Sequence, residues 1–320
     1  MFGNSTRFNP ETDIVDLTGK IVIVTGSNRG IGYATVQHFA QAGAKVYMAT
    51  RDEQRAERAI ESLRRLGSKG EVFWLKLDLS DPKEAKAAAE EFLSKEQRLD
   101  ILEVLNNMDR LFSPFEKFEK TSEGPSRIVT VNYISPFVFT ETLLPLLVST
   151  ARSPASDVRI LSSTAHRSVP LPVKFEDVED FCVEYNGHFF PSFSRYAHTK
   201  LLSVLWTAHL QKRLDSLDLA TPILVIAVHP GKVDTVTPNW PLPQVWGFFS
   251  RITSDDAEHG SYTTVFAAAS RVIESERIKY KGAYLEHKPV GNIVRPLSLA
   301  EDETLAQNLF VLTTKFLNKI

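Results

Sequence analysis

Residues 20–32 read KIVIVTGSNRGIG, a short apolar run closed by a turn with glycines at 26, 30 and 32. The run is β-branched and bounded by glycine, which predicts a strand over 20–26. The stretch GIGYATVQHFAQAG (30–43) has helical spacing and stops at Gly43. A glycine turn between strand and helix lets the backbone bend tightly and come close to a pyrophosphate. The helix N-terminus then offers N–H groups and the positive end of its dipole. Standing alone, such glycines describe only a tight turn. Set between a strand and a helix near the start of the chain, they point to dinucleotide binding.

Outward from this stretch, short apolar runs alternate with helical patterns. Strands are expected at AKVYMATR (44–51), EVFWLKLDLS (71–80), LDILEVLNN (99–107), VRILSS (158–163) and TPILVIAVHPG (221–231). Helices are expected at 52–67 with Asp52 as cap, at 81–96 with Pro82 in the first turn, at 126–150, and from Tyr196 onward. This alternation predicts parallel crossovers. The fold class is therefore α/β, a doubly wound, Rossmann-like parallel sheet covered on both faces, with ligands beyond the carboxyl ends of its strands. No repeat or linker interrupts the pattern. Residues 17–320 read as one dinucleotide-binding and catalytic domain with small substrate-loop insertions, and 1–16 as a polar arm.

Composition narrows the function classes. The 320 residues are 43% apolar and 24% charged, with a formal net charge of −2. That balance carries no electrostatic footprint for nucleic acid. Cys182 is the single cysteine, so no intrachain disulfide can form, in keeping with a reducing compartment. The first 16 residues have no apolar signal core, and no run approaches the ~20 apolar residues of a membrane span. A cytoplasmic protein is expected. The eight histidines show no metal-ligand spacing, so no metal is expected. G-x-S-x-G is missing, which argues against a hydrolase.

The end of the second strand bears on the choice of nicotinamide cofactor. An acid there would hold a ribose 2′-hydroxyl, and a basic residue would suit a 2′-phosphate. Thr50 takes the acid's place, and Arg51 follows. Arg29, inside the glycine turn, could reach the same phosphate, since guanidinium matches phosphate geometry. Asp52 is the counter-argument, read as a helix cap. NADP(H) is favoured over NAD(H).

RYAHTK (195–200) places Tyr196 and Lys200 four residues apart, on one face of a helix. In isolation the pair reads as two surface side chains. TGSNRGIG (25–32), NN (106–107), VNYISPF (131–137), SS (162–163), YAHTK (196–200) and HPGKVDT (229–235) occur in one order. Together they resemble the short-chain dehydrogenase/reductase family in its single-domain form, over about residues 17–235. Weaker similarity continues to GAYLEHKPVG (282–291). The 33-residue interval from Ser163 to Tyr196 is longer than usual. It resembles the retinol-dehydrogenase-like branch and fungal secondary-metabolism members.

The resemblance implies an oxidoreductase that interconverts carbonyl and alcohol. Tyr196 would be the general acid, or the base when an alcohol is oxidised. Lys200 and the oxidised nicotinamide would lower its phenol pKa, and Lys200 would also hold the nicotinamide ribose. Ser163 would hydrogen-bond the developing oxyanion, with Ser162 a spectator. Asn132 would complete a proton relay to Lys200. Gly26, Asn28, Arg29, Gly30, Ile31 and Gly32 would cradle the pyrophosphate. Arg51 would meet the adenosine ribose, and Asp78 with Leu79 the adenine. Gly231 and Thr235 would line the nicotinamide pocket, and Asn106, Pro230 and Val233 complete the cofactor set.

The chain departs from the family at Met108-Asp109, where a small residue and glycine normally follow the two asparagines. Glu103, in a strand that should be almost wholly apolar, suggests local irregularity in strand four. Met108-Asp109 motivates an alternative, a catalytically impaired nucleotide-binding scaffold or sensor of the same fold, against which the intact Ser163, Tyr196 and Lys200 set argues. Trp240, Trp246, Phe248 and Phe249, with the aromatics of 169–194, suggest a bulky, apolar small-molecule substrate or simple packing. In LAQNLFVLTTKFLNKI, positions 305, 309, 312 and 316 form an apolar stripe. It serves either peripheral membrane contact or packing on the chain's own domain. Oligomeric state is left open.

Overall fold

The computed structural model describes residues 8–104, 117–153, 157–163, 169, 173–219, 221–231 and 257–320. Seven parallel strands and one antiparallel strand form one sheet, in the order β3-β2-β1-β4-β5-β6-β7-β8. They are β1 (Ile21–Thr25), β2 (Lys45–Thr50), β3 (Val72–Lys76), β4 (Ile101–Val104), β5 (Arg159–Ser163), β6 (Leu224–Val228), β7 (Tyr284–Glu286) and β8 (Asn292–Ile293). The longer helices among the described residues are α1 (Gly30–Gln41), α2 (Glu53–Arg65), α3 (Pro82–Lys95), α4 (Ser135–Ala151), α5 (Pro191–Asp215), α6 (Ala257–Ala269) and α7 (Glu303–Leu317).

The period-two pattern of the strands sends side chains to two separate cores. Val22, Val24, Val46 and Met48 pack with α1, α2 and α6. Ile23, Tyr47, Leu102 and Val104 pack with α3, α4, α5 and α7. The strand order reverses between β1 and β4, and this switch point opens a crevice at the carboxyl edge.

Several expectations change. β3 ends at Lys76, so Asp78 lies in the following turn, where its carboxylate accepts from the Ser80 N–H at 2.9 Å. The expected helix 126–150 is not uniform. One turn (Arg127–Val129) leads into a π-helical turn, Thr130–Ile134, before α4 begins. The run Arg127–Ala151 is long and apolar enough to cross a membrane, but 61% of its most apolar window is buried inside the domain, as in a core helix. The polar arm docks from Phe8 onward. Phe8 packs edge-on against Tyr262 and Phe266 of α6, and the Val15 N–H donates to Ala269 O at 2.9 Å. The C-terminal stripe, Leu305, Leu309, Leu312 and Phe316, is buried in the main core. It is spent on packing and does not face a membrane.

β4 is regular from Ile101 to Val104, in register with both neighbours. Glu103 does not distort it. The residue is 1% exposed, between Val24 and Leu161, and its two oxygens have no hydrogen-bond partner among the described residues. Burial holds its pKa well above the ordinary carboxyl value, so the strand accommodates a neutral acid. Folding then takes up a proton above the unfolded carboxyl pKa of about 4.3. Stability from this site is complete below that pH and declines as pH rises toward the folded pKa, by up to about 1.4 kcal/mol per pH unit. Glu103→Gln should flatten the fall of thermal stability as pH rises above the unfolded carboxyl pKa. Parallel melting profiles for the two proteins would refute the assignment.

Candidate active site

The site is built at the carboxyl edge of the sheet, where β1, β4, β5 and β6 end. The turn after β1 carries Gly26, Asn28 and Arg29, and α1 opens at Gly30, with Ile31 and Gly32 in its first turn. A Cβ at Gly32 would stand 2.7 Å from Ser27 Cα and 3.0 Å from Gly26 O. The helix therefore presses on the turn so closely that no side chain fits. Ser27 Oγ donates to Val24 O at 2.7 Å and closes the bend. Among the described residues no side chain caps α1, and no acid stands in its first turn. Its N–H groups and dipole are thus directed at the turn. This cradle fits a diphosphate.

At the end of β2, the Thr50 hydroxyl is buried and has no partner among the described residues. Arg51 is exposed. Asp52 caps α2, accepting from the Arg55 N–H at 3.0 Å, and pairs with the Arg55 guanidinium at 3.1 Å. Asp78 and Leu79 follow β3 at the same edge, both half-buried.

Beyond β6, Pro230 and Gly231 are half-buried. His229 Nδ1 accepts from the Gly231 N–H at 2.9 Å. Gly231 has φ 88°, and a Cβ there would stand 2.6 Å from the His287 ring. Glycine is therefore required on both counts. The fold also gathers His229, Glu286 and His287, whose ligand-type atoms lie within 4.8 Å of one another. No sequence spacing announced this cluster, because β7 meets β6 only in the sheet.

Tyr196 and Lys200 stand in the first turns of α5, 7% and 1% exposed. The ammonium lies 5.2 Å from the Tyr196 ring centroid. Burial pushes the phenol above its ordinary value and pulls Lys200 down to about 7. The lowering expected for Tyr196 combines the charges of Lys200 and the oxidised nicotinamide; from the protein alone, desolvation of both groups acts in the opposite direction.

Asn132 sits in the π turn, and its Nδ2 donates to Thr199 Oγ1 at 3.1 Å. Thr199 Oγ1 in turn donates to Tyr196 O at 2.8 Å. A π turn widens a helix locally and often marks a functional site. Here it brings Asn132 to the helix that carries Tyr196 and Lys200. Ser163 ends β5, its backbone opposite Val228, next to the strand that leads to Gly231. Asn106, Val233 and Thr235 lie outside the described residues, as do Met108, Asp109 and the aromatics of 236–256.

The sequence reading missed Thr199, though it adjoins Lys200 in the motif. It also missed Tyr185 and His198, which meet at 2.6 Å across 13 residues with no periodic signal.

The comparisons agree with this geometry. A family model described as short chain dehydrogenase matches residues 20–173. A short-chain dehydrogenase/reductase of Armillaria gallica is 41% identical, over 99% of this chain and 98% of its own. Human retinol dehydrogenase 12 is 36% identical, over 83% of this chain and 78% of its own. An uncharacterized protein of Mycobacterium paratuberculosis shares the fold, with a TM-score of 0.69 at 22% identity and 97% of each chain covered. A dinucleotide cradle at the switch point, a buried Tyr-Lys pair beside it and relatives of this similarity place the chain in the short-chain dehydrogenase/reductase family, the NAD(P)-dependent oxidoreductases of CH–OH and C=O groups.

Proposed function

We propose that the protein is an NADP(H)-dependent oxidoreductase that interconverts a carbonyl and an alcohol on a bulky, apolar small molecule. The observation that carries the chemistry is the buried Tyr196–Lys200 pair, tied through Thr199 to Asn132. When bound, the nicotinamide cofactor supplies or accepts the hydride and, in its oxidised form, a positive charge. Tyr196 Oη gives its proton to the carbonyl oxygen as negative charge builds there, or takes it from the alcohol in the reverse direction. Lys200 favours the phenolate electrostatically, and Ser163 supplies a hydrogen bond to the developing oxyanion. Asn132 holds the relay end of the site through Thr199.

NADP(H) is preferred on the state of three residues. Asp52, the acid nearest the adenosine ribose position, is committed to capping α2 and to Arg55. Thr50 offers no charge. Arg51 is exposed, with no ion pair among the described residues, and suits a 2′-phosphate. An apolar substrate is supported by Phe189, Phe190 and Phe193, exposed at the amino end of α5. Phe193 is one turn before Tyr196. The name of the human relative, retinol dehydrogenase, points the same way.

Two measurements test this reading. Calorimetric titration should give tighter binding of NADPH than NADH, and Arg51→Ala should weaken NADPH while leaving NADH within about two-fold, as expected for loss of one phosphate contact. Equal affinities in the unaltered protein would remove the NADP(H) assignment. Tyr196→Phe keeps the ring and removes the proton donor. Turnover of a panel of aldehydes, ketones and alcohols, followed by NADPH absorbance, should fall at least ~100-fold with NADPH affinity retained. Turnover close to normal would show that Tyr196 is not the acid.

A further inference from the structure

The catalytic helix begins without a local cap. Phe190, its N-cap residue, contributes no side-chain hydrogen bond, and Pro191 follows. The segment Glu184–His188 instead folds back onto the first turns of α5 and holds them at three points. Arg195 Nη1 donates to Glu184 O at 3.1 Å. The Tyr185 hydroxyl and His198 Nδ1 share a hydrogen bond of 2.6 Å. Ser194 Oγ and His188 Nδ1 lie 3.3 Å apart.

Tyr185 is the one non-glycine residue with positive φ among the described residues, at 58°. A bulky side chain in that region is an outlier, kept only where the surroundings over-determine it. Its ring packs edge-on against His188 at 5.4 Å and lies tilted to His198 at 5.9 Å.

His198 is 3% exposed. Its Nε2 is buried with no partner among the described residues, so the Tyr185 hydroxyl is the ring's one hydrogen-bond partner there. Burial pulls its pKa down to about 4, so the ring is neutral at working pH. His198 follows Tyr196 by two positions and sits on the far side of the helix from it, since successive residues turn by about 100°. The helix is thus gripped on the side away from Tyr196 by Tyr185, and through Thr199 by Asn132.

We propose that Tyr185 is a positioning residue for the Tyr196–Lys200 pair: through His198 it fixes the rotation of α5 about its axis, and with it the aim of the Tyr196 phenol. The inference rests on Tyr196 being the proton donor of the proposed reaction. A displacement of about 1 Å at a reacting group can cost 100-fold in rate. The Tyr185–His198 bond is the shortest of the three that hold the start of α5, at 2.6 Å against 3.1 and 3.3 Å, so its loss is enough to matter.

The test is steady-state reduction of phenanthrenequinone, a bulky apolar dicarbonyl, by the full chain with NADPH. Tyr185→Phe should lower kcat about 10-fold or more, while NADPH affinity by calorimetry stays within about two-fold. His198→Asn places an amide near the Nδ1 position and keeps a partner for Tyr185, so it should retain most of kcat. The double variant Tyr185→Phe with His198→Leu removes both polar groups together and leaves none buried alone, which protects folding. It should be no worse than Tyr185→Phe, because the two changes break one bond. All are compared well below their melting temperatures. Normal kcat in a folded double variant, or equal losses in His198→Asn and Tyr185→Phe, overturns the positioning role. A silent unaltered protein, or an active Tyr196→Phe variant, overturns the parent reading instead.

Discussion

The carboxyl edge of this sheet depends on burying one lysine. Lys200 is 1% exposed, and its burial lowers the ammonium pKa to about 7. Desolvation disfavours its charge and that of the Tyr196 phenolate together. The same low dielectric strengthens any charge interaction that remains. An added positive charge beside the phenol therefore acts with greater force here than it would in water. That logic requires the two side chains to be fixed in relation to each other, because neither has solvent to compensate for drift.

The fixing is distributed over elements far apart in sequence. α7 lies along α5 and the π turn, where Tyr133 Oη and Thr313 Oγ1 share a hydrogen bond of 2.8 Å. Arg213 of α5 grips Glu141 of α4 through two bonds, 2.6 and 3.1 Å, and its guanidinium lies 4.8 Å from the Phe310 ring centroid. The three helices form one packed layer. On the opposite flank, the segment before α5 supplies Tyr185 and Glu184. The C-terminal stripe, open to a membrane reading from sequence, is thus part of the frame that holds α5.

The glycine turn, the strand alternation and the order of motifs were legible because each is local. A glycine that a Cβ would force against Ser27 leaves its mark in the sequence, as does a strand buried on both faces. The π turn was not legible, since one widened turn barely alters apolar spacing over 126–150. Nor were β7 and β8, at three and two residues, too short to show a period. The Asp52 cap was readable from position alone, and the structure bears it out. The docking of Phe8 was hidden inside a polar composition. Contacts such as Tyr185–His198 arise from loop geometry that no pattern encodes. The same holds for His229, Glu286 and His287, which only the β6–β7 pairing brings together.

The two ionisable residues in the central strands show why one needs partners and the other does not. Arg159 is fully buried at the start of β5, opposite Ile101. A guanidinium cannot shed its proton, so it must be matched. Asp157 binds it through both oxygens, and Ala267 O accepts from it at 3.1 Å. Arg277 also pairs with Asp157, which ties the base of β5 to the short helix Arg277–Tyr280. Glu103 lies two residues further along β4 and has no such set among the described residues. A carboxyl group can accept a proton, and burial makes it do so. The distinction also suits the site. Glu103 is paired across the sheet with Val24, two residues before Gly26. Ionised there, it would place a negative charge one strand from the turn shaped for a diphosphate. Held neutral, it leaves the field at that turn to the α1 dipole and the nearby arginine, both of which favour phosphate.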